Sequence, residues 1–410
     1  MPSPNPYEGD YQWPDNLYDE IYDMGLMAKF AYTMGRIVHA SRQAHEKGVP
    51  FVGLDFDPNA DKHSITKSSA SDPELKRSFT PAEMKEILVE NQEFLASFNS
   101  SFEGAKLERL ISMLDSLQAR VDSSGIERAL ALEEFDDTFQ EDESVYGVAR
   151  DSVNKRITII FRGTENGISK KVAIENWLAN VKLAKKSVEV PALLKDKLKS
   201  NELKFHTGFY DYIFNETEKE DAAGTRKMDQ ILEDVKAILA KYPDHKVYVT
   251  GHSLGSALST ICAFYLACED DDAIPKPVTC VNFASPRVGG WQFAEAVHYL
   301  EKNKQLRMLR SINENDIVTA VPKTGYYHVG HQVTCYKDGL FRKNIEPEII
   351  YMNPTEGFVK RWRKYRTNSI LSNLAADHGI GGYLGRILKG KPFLEKKSLN
   401  QMYIDEKVFE

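Results

Sequence analysis

The apolar positions in the first third of the chain recur at steps of three and four residues, which is the period of an α-helix. Between residues 15 and 46 the stripe consists of Leu17, Ile21, Met24, Met27, Phe30, Met34, Ile37 and Val38. The polar stretch 57–78 predicts a loop, and Thr80-Pro81-Ala82-Glu83 has the cap, proline and acid of a helix start. A further stripe over 105–121 completes a mostly helical N-terminal region, 1–132, which we expect to pack on or cap the core.

The pattern changes after residues 133–143, where seven acidic residues in eleven predict a solvated linker. Apolar strand-like runs then alternate with amphipathic helix-like runs. The strand-like runs are 144–150, 156–161, 205–206, 246–250, 278–283 and 306–312, and the helix-like runs are 228–241, 254–267 and 290–302. This alternation predicts an α/β fold with a mostly parallel central sheet and helices on both faces.

Charge and composition exclude several classes of protein. The chain has 53 Lys and Arg against 60 Asp and Glu, and its net charge of −7 argues against a nucleic-acid partner, because phosphate binding needs clustered basic residues. The N-terminus lacks a basic stretch followed by an apolar one, so we expect no signal peptide. No run of about 18 apolar residues occurs, so we expect no transmembrane segment and a cytoplasmic location.

The spacing and the apolar surroundings of the cysteines are consistent with a cytoplasmic location. The chain contains four of them, Cys262, Cys268, Cys280 and Cys335, without the spacing of a metal site. The first three lie in apolar helix-like or strand-like runs, which is typical of buried thiols. We therefore expect reduced cysteines and no structural disulfide.

A nucleophile motif stands where a predicted strand meets a predicted helix. The strand 246–250 (KVYVT) runs into Gly251-His-Ser253-Leu254-Gly255, which has the form G-x-S-x-G, and the helix follows at once. In such an elbow the serine sits on a sharp, strained turn, so the residues two positions to either side must lack bulk. The helix N-terminus directs free N–H groups at the place where an oxyanion forms. We predict Ser253 as a nucleophile and the Leu254 N–H as a first oxyanion donor.

A serine nucleophile needs a base, and the base needs an acid that orients it. In this class of fold the chain order is serine, acid, histidine. Asp316 follows the predicted core strand 306–312 and is the best acid. His298 precedes it and is excluded by that order, which leaves His328 and His331 in a strand-like run and His378 in a glycine-rich loop. A loop histidine suits a proton shuttle, so the chemistry favours His378 without excluding the other two.

A second oxyanion donor should come from the loop after an earlier strand. The strand 156–161 (RITIIF) is followed by Arg162, Gly163 and Thr164. Gly163 permits a tight turn there, and Thr164 offers both an N–H and a hydroxyl. The resulting set of nucleophile, base, acid and two donors predicts acyl transfer that needs neither cofactor nor metal.

Six ordered segments resemble the class 3 (fungal-type) triacylglycerol lipase family, within the α/β-hydrolase superfamily. They are FRGT at 161–164, HTGF at 206–209, GHSLGSAL at 251–258, ASPRVG at 284–289, NENDIVTAVP at 313–322 and DHGIGGY at 377–383. The resemblance implies an α/β-hydrolase core over 144–384, followed by a C-terminal tail, 385–410. It implies Ser253, Asp316 and His378 as the catalytic triad, with Thr164 and Leu254 as the oxyanion hole. It also implies structural roles for His206, Gly208 and Arg287.

The resemblance further implies a lid after the oxyanion loop. Residues 165–190 are its candidate, because one face of a helix there would be apolar and the other basic. The apolar positions are Ile174, Trp177, Leu178 and Val181, and the basic ones are Lys170, Lys171, Lys182, Lys185 and Lys186. Such a helix could open at a lipid surface and make transient contact with it. The alternative is a surface helix that buries its apolar face permanently.

The sequence thus predicts a serine carboxylic-ester hydrolase acting on lipid esters such as triacylglycerol or diacylglycerol. A phospholipase A1 or a soluble-ester esterase would use the same residues and remains an alternative. Two non-enzymatic alternatives are a lipase-like scaffold or signalling protein and a module that binds membrane surfaces. The presence of all three triad residues argues against the scaffold.

Overall fold

The computed structural model describes residues 16–57, 65–136, 146–163, 184–216, 225–270, 272–322, 324–337, 346–352, 377–402 and 404. Its strands are β1 (Leu54–Phe56), β2 (Ile65–Lys67), β3 (Leu130–Phe135), β4 (Tyr146–Asp151), β5 (Arg156–Phe161), β6 (Lys185–Glu189), β7 (Glu202–His206), β8 (Lys246–His252), β9 (Val278–Phe283), β10 (Leu306–Asn313), β11 (His331–Cys335) and β12 (Glu348–Tyr351). Its α-helices are α1 (Leu17–Glu46), α2 (Pro73–Arg77), α3 (Pro81–Glu90), α4 (Gln92–Phe98), α5 (Gly104–Asp122), α6 (Thr207–Phe214), α7 (Lys227–Lys241), α8 (Leu254–Cys268), α9 (Trp291–Lys302) and α10 (Ile380–Leu394).

An eight-stranded sheet forms the centre of the fold, in the order β12-β11-β10-β9-β8-β5-β4-β3. The five strands β5, β8, β9, β10 and β11 pair in parallel, whereas β3, β4 and β12 are antiparallel to their neighbours. Every residue of β5, β9 and β10 is buried, as expected when helices cover both faces of a parallel sheet. The predicted α/β-hydrolase architecture, with a mostly parallel sheet, is confirmed.

Alternate residues of each central strand belong to two separate hydrophobic clusters. In β8, Tyr248 packs in one cluster with α1 and α10, whereas Val247 and Val249 pack in the other with α7 and α8. This alternation follows from the period of two in a β-strand. The sheet is therefore covered on one face by the N- and C-terminal helices and on the other by α6 to α9.

Helix α1 carries the predicted apolar stripe, but it is buried more deeply than a helix that only caps the core would be. Two of its acids reach arginines on the sheet beneath. Glu20 accepts two hydrogen bonds from Arg307, at 2.8 and 3.0 Å, and Asp23 lies 3.1 Å from Arg156. A buried charge needs a partner of this kind, because an unpaired one costs several kcal/mol, about 3–5. The helix is thus an integral layer of the core.

The predicted N-terminal boundaries need correction. Strand β3 forms the edge of the main sheet, so the sheet begins inside the region expected to be helical, and the predicted linker 133–143 begins within a strand. The acidic residues of β3 made this segment look like a linker in the sequence. In the structure the charge of Glu133 is paired with Arg150 of β4 at 2.7 Å. The predicted loop 57–78 likewise contains β2 and α2. The rest of the linker, 137–145, lies outside the described residues.

The predicted C-terminal tail, 385–410, is also incorrect for its described part. Residues 380–394 form α10, whose apolar positions Tyr383, Leu384, Ile387 and Leu394 recur at helical spacing and pack against α1 and the sheet. The intervening glycines and lysines, together with Pro392, hid this stripe in the sequence. As a result His378 lies in a helical turn at the entrance to α10, where the sequence predicted a loop.

Two further observations concern the hydropathy of the helices and the state of the cysteines. None of the helices in the described part of the chain is long and apolar enough to cross a membrane. All four cysteines are buried free thiols, and burial raises the pKa of Cys262 and of Cys335 above the ordinary thiol value. Thiols of this kind are inert packing residues.

A buried acid lies on α9, away from the elbow. Burial raises the pKa of Glu301 to about 8, although the Tyr351 hydroxyl and the Met308 N–H both donate to its carboxyl group, at 2.9 and 3.1 Å. The nearby charge of Arg310 also lowers this pKa, but by less than burial raises it. Glu301 is therefore protonated at neutral pH in the folded protein.

We expect this raised pKa to make the protein less stable as the pH rises. The unfolded chain loses the Glu301 proton near pH 4.5, whereas the folded protein keeps it until about pH 8. The contribution is complete below pH 4.5 and is lost between those two values, at a rate of at most about 1.4 kcal/mol per pH unit. Urea unfolding of wild type and Glu301→Gln from pH 4 to pH 9 should show the wild type losing stability relative to the variant. Parallel curves would contradict this account of Glu301.

Candidate active site

The predicted elbow is present, and its backbone is strained. β8 ends at His252 and α8 begins at Leu254, which leaves Ser253 between them with φ 60° and ψ −125°. A Cβ atom on Gly251 would lie 2.2 Å from the carbonyl oxygen of Gly255, and one on Gly255 would lie 2.3 Å from that of Phe161. Both glycines are needed because backbone passes too close for any side chain. Strain of this kind is typical of functional sites.

The structure brings Ser253, His378 and Asp316 into one hydrogen-bonded chain. His378 Nε2 lies 2.8 Å from Ser253 Oγ, and His378 Nδ1 lies 3.0 and 2.9 Å from the two carboxylate oxygens of Asp316. Asp316 is 1% exposed and His378 is 6% exposed, whereas Ser253 is partly accessible. A base within hydrogen-bond reach of a hydroxyl, and an acid behind the base, can make that hydroxyl a nucleophile.

Asp316 is held by two further donors. The Val318 N–H donates to Oδ1 at 3.0 Å, and the Tyr383 hydroxyl donates to Oδ2 at 2.6 Å. Burial, followed by the negative charge of Asp316, raises the pKa of Tyr383 well above its usual value, so this hydroxyl stays protonated. Sequence reasoning missed Tyr383. The helical spacing of 380–394 was the signal that could have shown it facing the core.

The turn that carries His378 is fixed from several sides. The side-chain amide of Asn313, at the end of β10, donates to the carbonyl of Asp377 at 2.8 Å. The carboxylate of Asp377 forms an ion pair with the guanidinium of Arg386, which lies within α10. The imidazole of His378 therefore approaches the elbow from an element that is anchored both to the sheet and to its own helix.

The other histidines considered as bases lie elsewhere. His328 Nε2 is 2.7 Å from the carbonyl oxygen of Thr319, and His298 Nδ1 is 2.9 Å from the hydroxyl of Tyr351. The ring of His331 packs against Tyr351 with 4.8 Å between centroids. None of these contacts involves Ser253, whereas His378 lies within hydrogen-bond distance of its hydroxyl.

The oxyanion donors are only partly within the described chain. Leu254 is the first residue of α8, so its N–H has no partner inside the helix. The N–H of Ser253 donates to the carbonyl of Phe283 at 3.0 Å and is therefore engaged. Thr164, the predicted second donor, lies outside the described residues, which reach Gly163 immediately before it.

The residues implied to be structural hold the loops around the site. His206 Nδ1 accepts a hydrogen bond from the Phe209 N–H at 3.4 Å and so caps α6. The guanidinium of Arg287 donates to the carbonyls of Ala320 and Pro322, at 2.5 and 3.1 Å. The Arg287 contacts fix the segment that follows Asp316.

The lid prediction is incorrect at its C-terminal end. Residues 165–183, including the whole predicted apolar face, lie outside the described residues. Lys185 and Lys186, assigned to the same helix, belong to strand β6, which pairs antiparallel with β7. Exposed and half-buried residues alternate along β6, and Lys186 pairs with Asp211 at 2.6 Å. The two lysines therefore do not flank a helical apolar face.

Comparison with known proteins shows which family and which relatives the chain is similar to. The model of the family "Lipase (class 3)" matches residues 158–326. The chain is 34% identical over 143 residues to phospholipase A1-IIgamma of Arabidopsis thaliana, covering 33% of each chain. It is 31% identical to the chloroplastic galactolipase DONGLE of Arabidopsis thaliana (44% of this chain, 36% of that one) and 30% identical to a lipase of Rhizomucor miehei (45% and 43%). The chain thus spans less than half the length of each of these relatives.

Solved structures of lipases were also found to be similar. The triacylglyceride lipase of Rhizomucor miehei matches with a TM-score of 0.44 and 23% identity, over 62% of this chain and 84% of that one. The LIP2 lipase of Yarrowia lipolytica matches with a TM-score of 0.44 and 18% identity, over 63% and 82%. The family match takes in most of the strand before the oxyanion loop, the elbow and Asp316. The match of residues 158–326 to the class 3 lipase model confirms the resemblance seen in the motifs.

Proposed function

We propose that this protein is a serine carboxylic-ester hydrolase that acts on lipid esters through an acyl-enzyme. The observation that carries the proposal is the hydrogen-bonded chain from Ser253 Oγ through His378 to Asp316, at a strained strand-to-helix turn. A solvated surface serine has no reason to face a buried imidazole–carboxylate pair. This arrangement also favours an enzyme over a lipase-like scaffold, which would not need these three groups together.

In the proposed reaction, His378 Nε2 takes the proton of Ser253 Oγ as the oxygen attacks the ester carbonyl carbon. The carbonyl oxygen becomes an oxyanion, which we place against the N–H of Leu254 and the N–H and hydroxyl of Thr164. The tetrahedral intermediate collapses, and His378 gives its proton to the departing alcohol. Water then attacks the acyl group with His378 again as base, which releases the acid and restores Ser253. Asp316 remains ionised throughout and stabilises the imidazolium.

Glycerolipid esters are the proposed substrates. Relatives at about 30% identity are named phospholipase A1, galactolipase and lipase, and all of these names denote action on lipid esters. Six relatives carry the name phospholipase A1, so a phospholipid acyl ester is the specific alternative to triacylglycerol. We further propose transient contact with a lipid surface through residues near 165–190, and a cytoplasmic location that suits the four free thiols.

The substrate class is tested with dispersed lipids and soluble esters side by side. Purified wild type is given phosphatidylcholine, monogalactosyldiacylglycerol, triolein and p-nitrophenyl butyrate, with Ser253→Ala as the blank, and released fatty acid is measured. We expect turnover of at least one glycerolipid that the variant loses. Phosphatidylcholine with different acyl chains at its two positions then shows which ester is cleaved. Hydrolysis of p-nitrophenyl butyrate alone would contradict the lipid assignment, and inert wild type would contradict the enzyme.

A further inference from the structure

A tyrosine of α1 reaches the predicted active site from the opposite end of the sequence. Tyr32 is 7% exposed, and its hydroxyl lies between the elbow and the loop that follows β5. The Gly163 N–H donates to this hydroxyl at 2.9 Å. The same oxygen lies 3.2 Å from His252 Nδ1, inside the G-x-S-x-G motif, with a longer contact of 3.5 Å to the His252 carbonyl. One hydroxyl thus joins two segments that flank the nucleophile.

The protons in this cluster can be assigned from the acceptors. His252 Nε2 lies 2.5 Å from the carbonyl oxygen of His378, which can only accept, so Nε2 carries a proton. The neutral tautomer with its proton on Nε2 presents Nδ1 as an acceptor, and Nδ1 lies 3.2 Å from the Tyr32 hydroxyl, which donates to it. The Tyr32 oxygen then uses a lone pair for the Gly163 N–H. The hydrogen bonds thus run in a line from Gly163 through Tyr32 and His252 to the carbonyl of His378.

The packing around this line leaves no room for adjustment. A Cβ atom on Gly163 would lie 2.4 Å from the Tyr32 hydroxyl, 2.7 Å from the His252 carbonyl and 3.4 Å from Ser253 Cβ. A Cβ atom on Gly35, almost one turn further along α1, would lie 2.5 Å from a guanidinium nitrogen of Arg162. Helix α1 therefore lies directly against residues 162 and 163.

We propose that Tyr32 is a positioning residue for the reaction, an inference that rests on the proposed function. Its hydroxyl sets the distance between the loop that leads to Thr164 and the elbow that carries Ser253. Through His252 it also fixes the backbone of His378. The Gly163 N–H is engaged by Tyr32 and is not itself an oxyanion donor. Preorganised oxyanion donors lose much of their effect when displaced by about 1 Å.

The test compares two tyrosine-to-phenylalanine variants on the same face of the sheet. Tyr32→Phe removes the hydroxyl at the site. Tyr248→Phe is the matched control, because Tyr248 is also buried and its hydroxyl donates to Glu20 of α1 at 3.0 Å, away from the elbow. For Tyr32→Phe we expect kcat on a p-nitrophenyl ester to fall by about 10- to 100-fold, with KM changed less than about twofold. Tyr248→Phe should lose stability to a similar extent while kcat stays within about twofold of wild type.

Two further readouts separate positioning from general destabilisation. The rate at which a p-nitrophenyl alkylphosphonate reacts with the nucleophile should fall with kcat in Tyr32→Phe alone, because the adduct also needs the oxyanion donors. Hydrogen exchange of the Gly163 amide should become faster in Tyr32→Phe alone. Equal losses of kcat in both variants, or an active Tyr32→Phe with wild-type phosphonylation, would overturn the role of Tyr32. Wild type that neither hydrolyses esters nor reacts with the phosphonate would instead overturn the proposed function, and the role of Tyr32 with it.

Discussion

Replacing Ser253 by alanine should lower kcat/KM for ester hydrolysis on the order of 10⁶-fold, since the nucleophile itself is lost. The fold should survive, because alanine retains the Cβ atom and can occupy the same strained backbone, φ 60° and ψ −125°. We therefore expect unfolding free energies within about 1 kcal/mol of each other for wild type and Ser253→Ala. Steady-state kinetics and urea unfolding of the same preparations measure both quantities.

The matched control for this variant is Ser259→Ala. Ser259 is a buried serine on the same helix, and its hydroxyl bonds to Asn282 and to the Ser256 carbonyl. Its loss should cost stability, about 1 kcal/mol, and leave kcat/KM within about tenfold of wild type. A Ser253→Ala protein that keeps more than one hundredth of wild-type activity would place the nucleophile elsewhere.

Asp316→Asn should lower kcat by about 10⁴-fold through the wrong tautomer of His378. The Val318 N–H can only donate, so the amide oxygen of the new side chain takes the Oδ1 position, 3.0 Å away. The amide nitrogen therefore takes the Oδ2 position. There it lies 2.9 Å from His378 Nδ1 and donates to it, while the Tyr383 hydroxyl, 2.6 Å away, turns from donor to acceptor for its second hydrogen. The proton of the imidazole then sits on Nε2, which can no longer accept the proton of Ser253. The effect should appear in kcat on p-nitrophenyl esters, with KM little changed.

Glu314→Gln is the control for Asp316→Asn. It makes the same change in charge two residues earlier in the same turn and leaves the hydrogen bonds of His378 in place. We expect its kcat to remain within about threefold of wild type. A similar loss in both variants would show that the charge of the turn matters, and not the orientation of the imidazole.

The elbow and the acid could be predicted because local chemistry alone requires them. A serine flanked by two glycines at the end of an apolar strand is typical of a strained strand-to-helix turn. Asp316 follows a continuous apolar run, which is the pattern of a buried strand. The choice among the histidines could not be made from residues alone. It depends on how α10 packs against α1 and on the Asn313 amide that holds the turn before His378, and both are long-range contacts.

The errors in the predicted fold also arise from contacts between residues that lie far apart in the sequence. β3 was hidden because its glutamates pair across the sheet, and α10 because glycine, proline and lysine interrupt its stripe. The sequence does not single out Tyr32 or Tyr383, since nothing in the neighbourhood of either residue indicates a hydroxyl that points at the site. Their contacts join residues separated by 131 and 67 positions. Sequence period predicts elements well, whereas such contacts follow only from tertiary packing.

The central claim is that Ser253 is a nucleophile activated by His378, and covalent labelling tests it most directly. Wild type is incubated with a p-nitrophenyl alkylphosphonate, released p-nitrophenol is counted, and the adduct is located by peptide mass spectrometry. We expect one p-nitrophenol per chain and one adduct, on the peptide that contains Ser253, with no labelling of Ser253→Ala and slow labelling of His378→Ala. An adduct on another residue, or wild type that stays unlabelled, would contradict it.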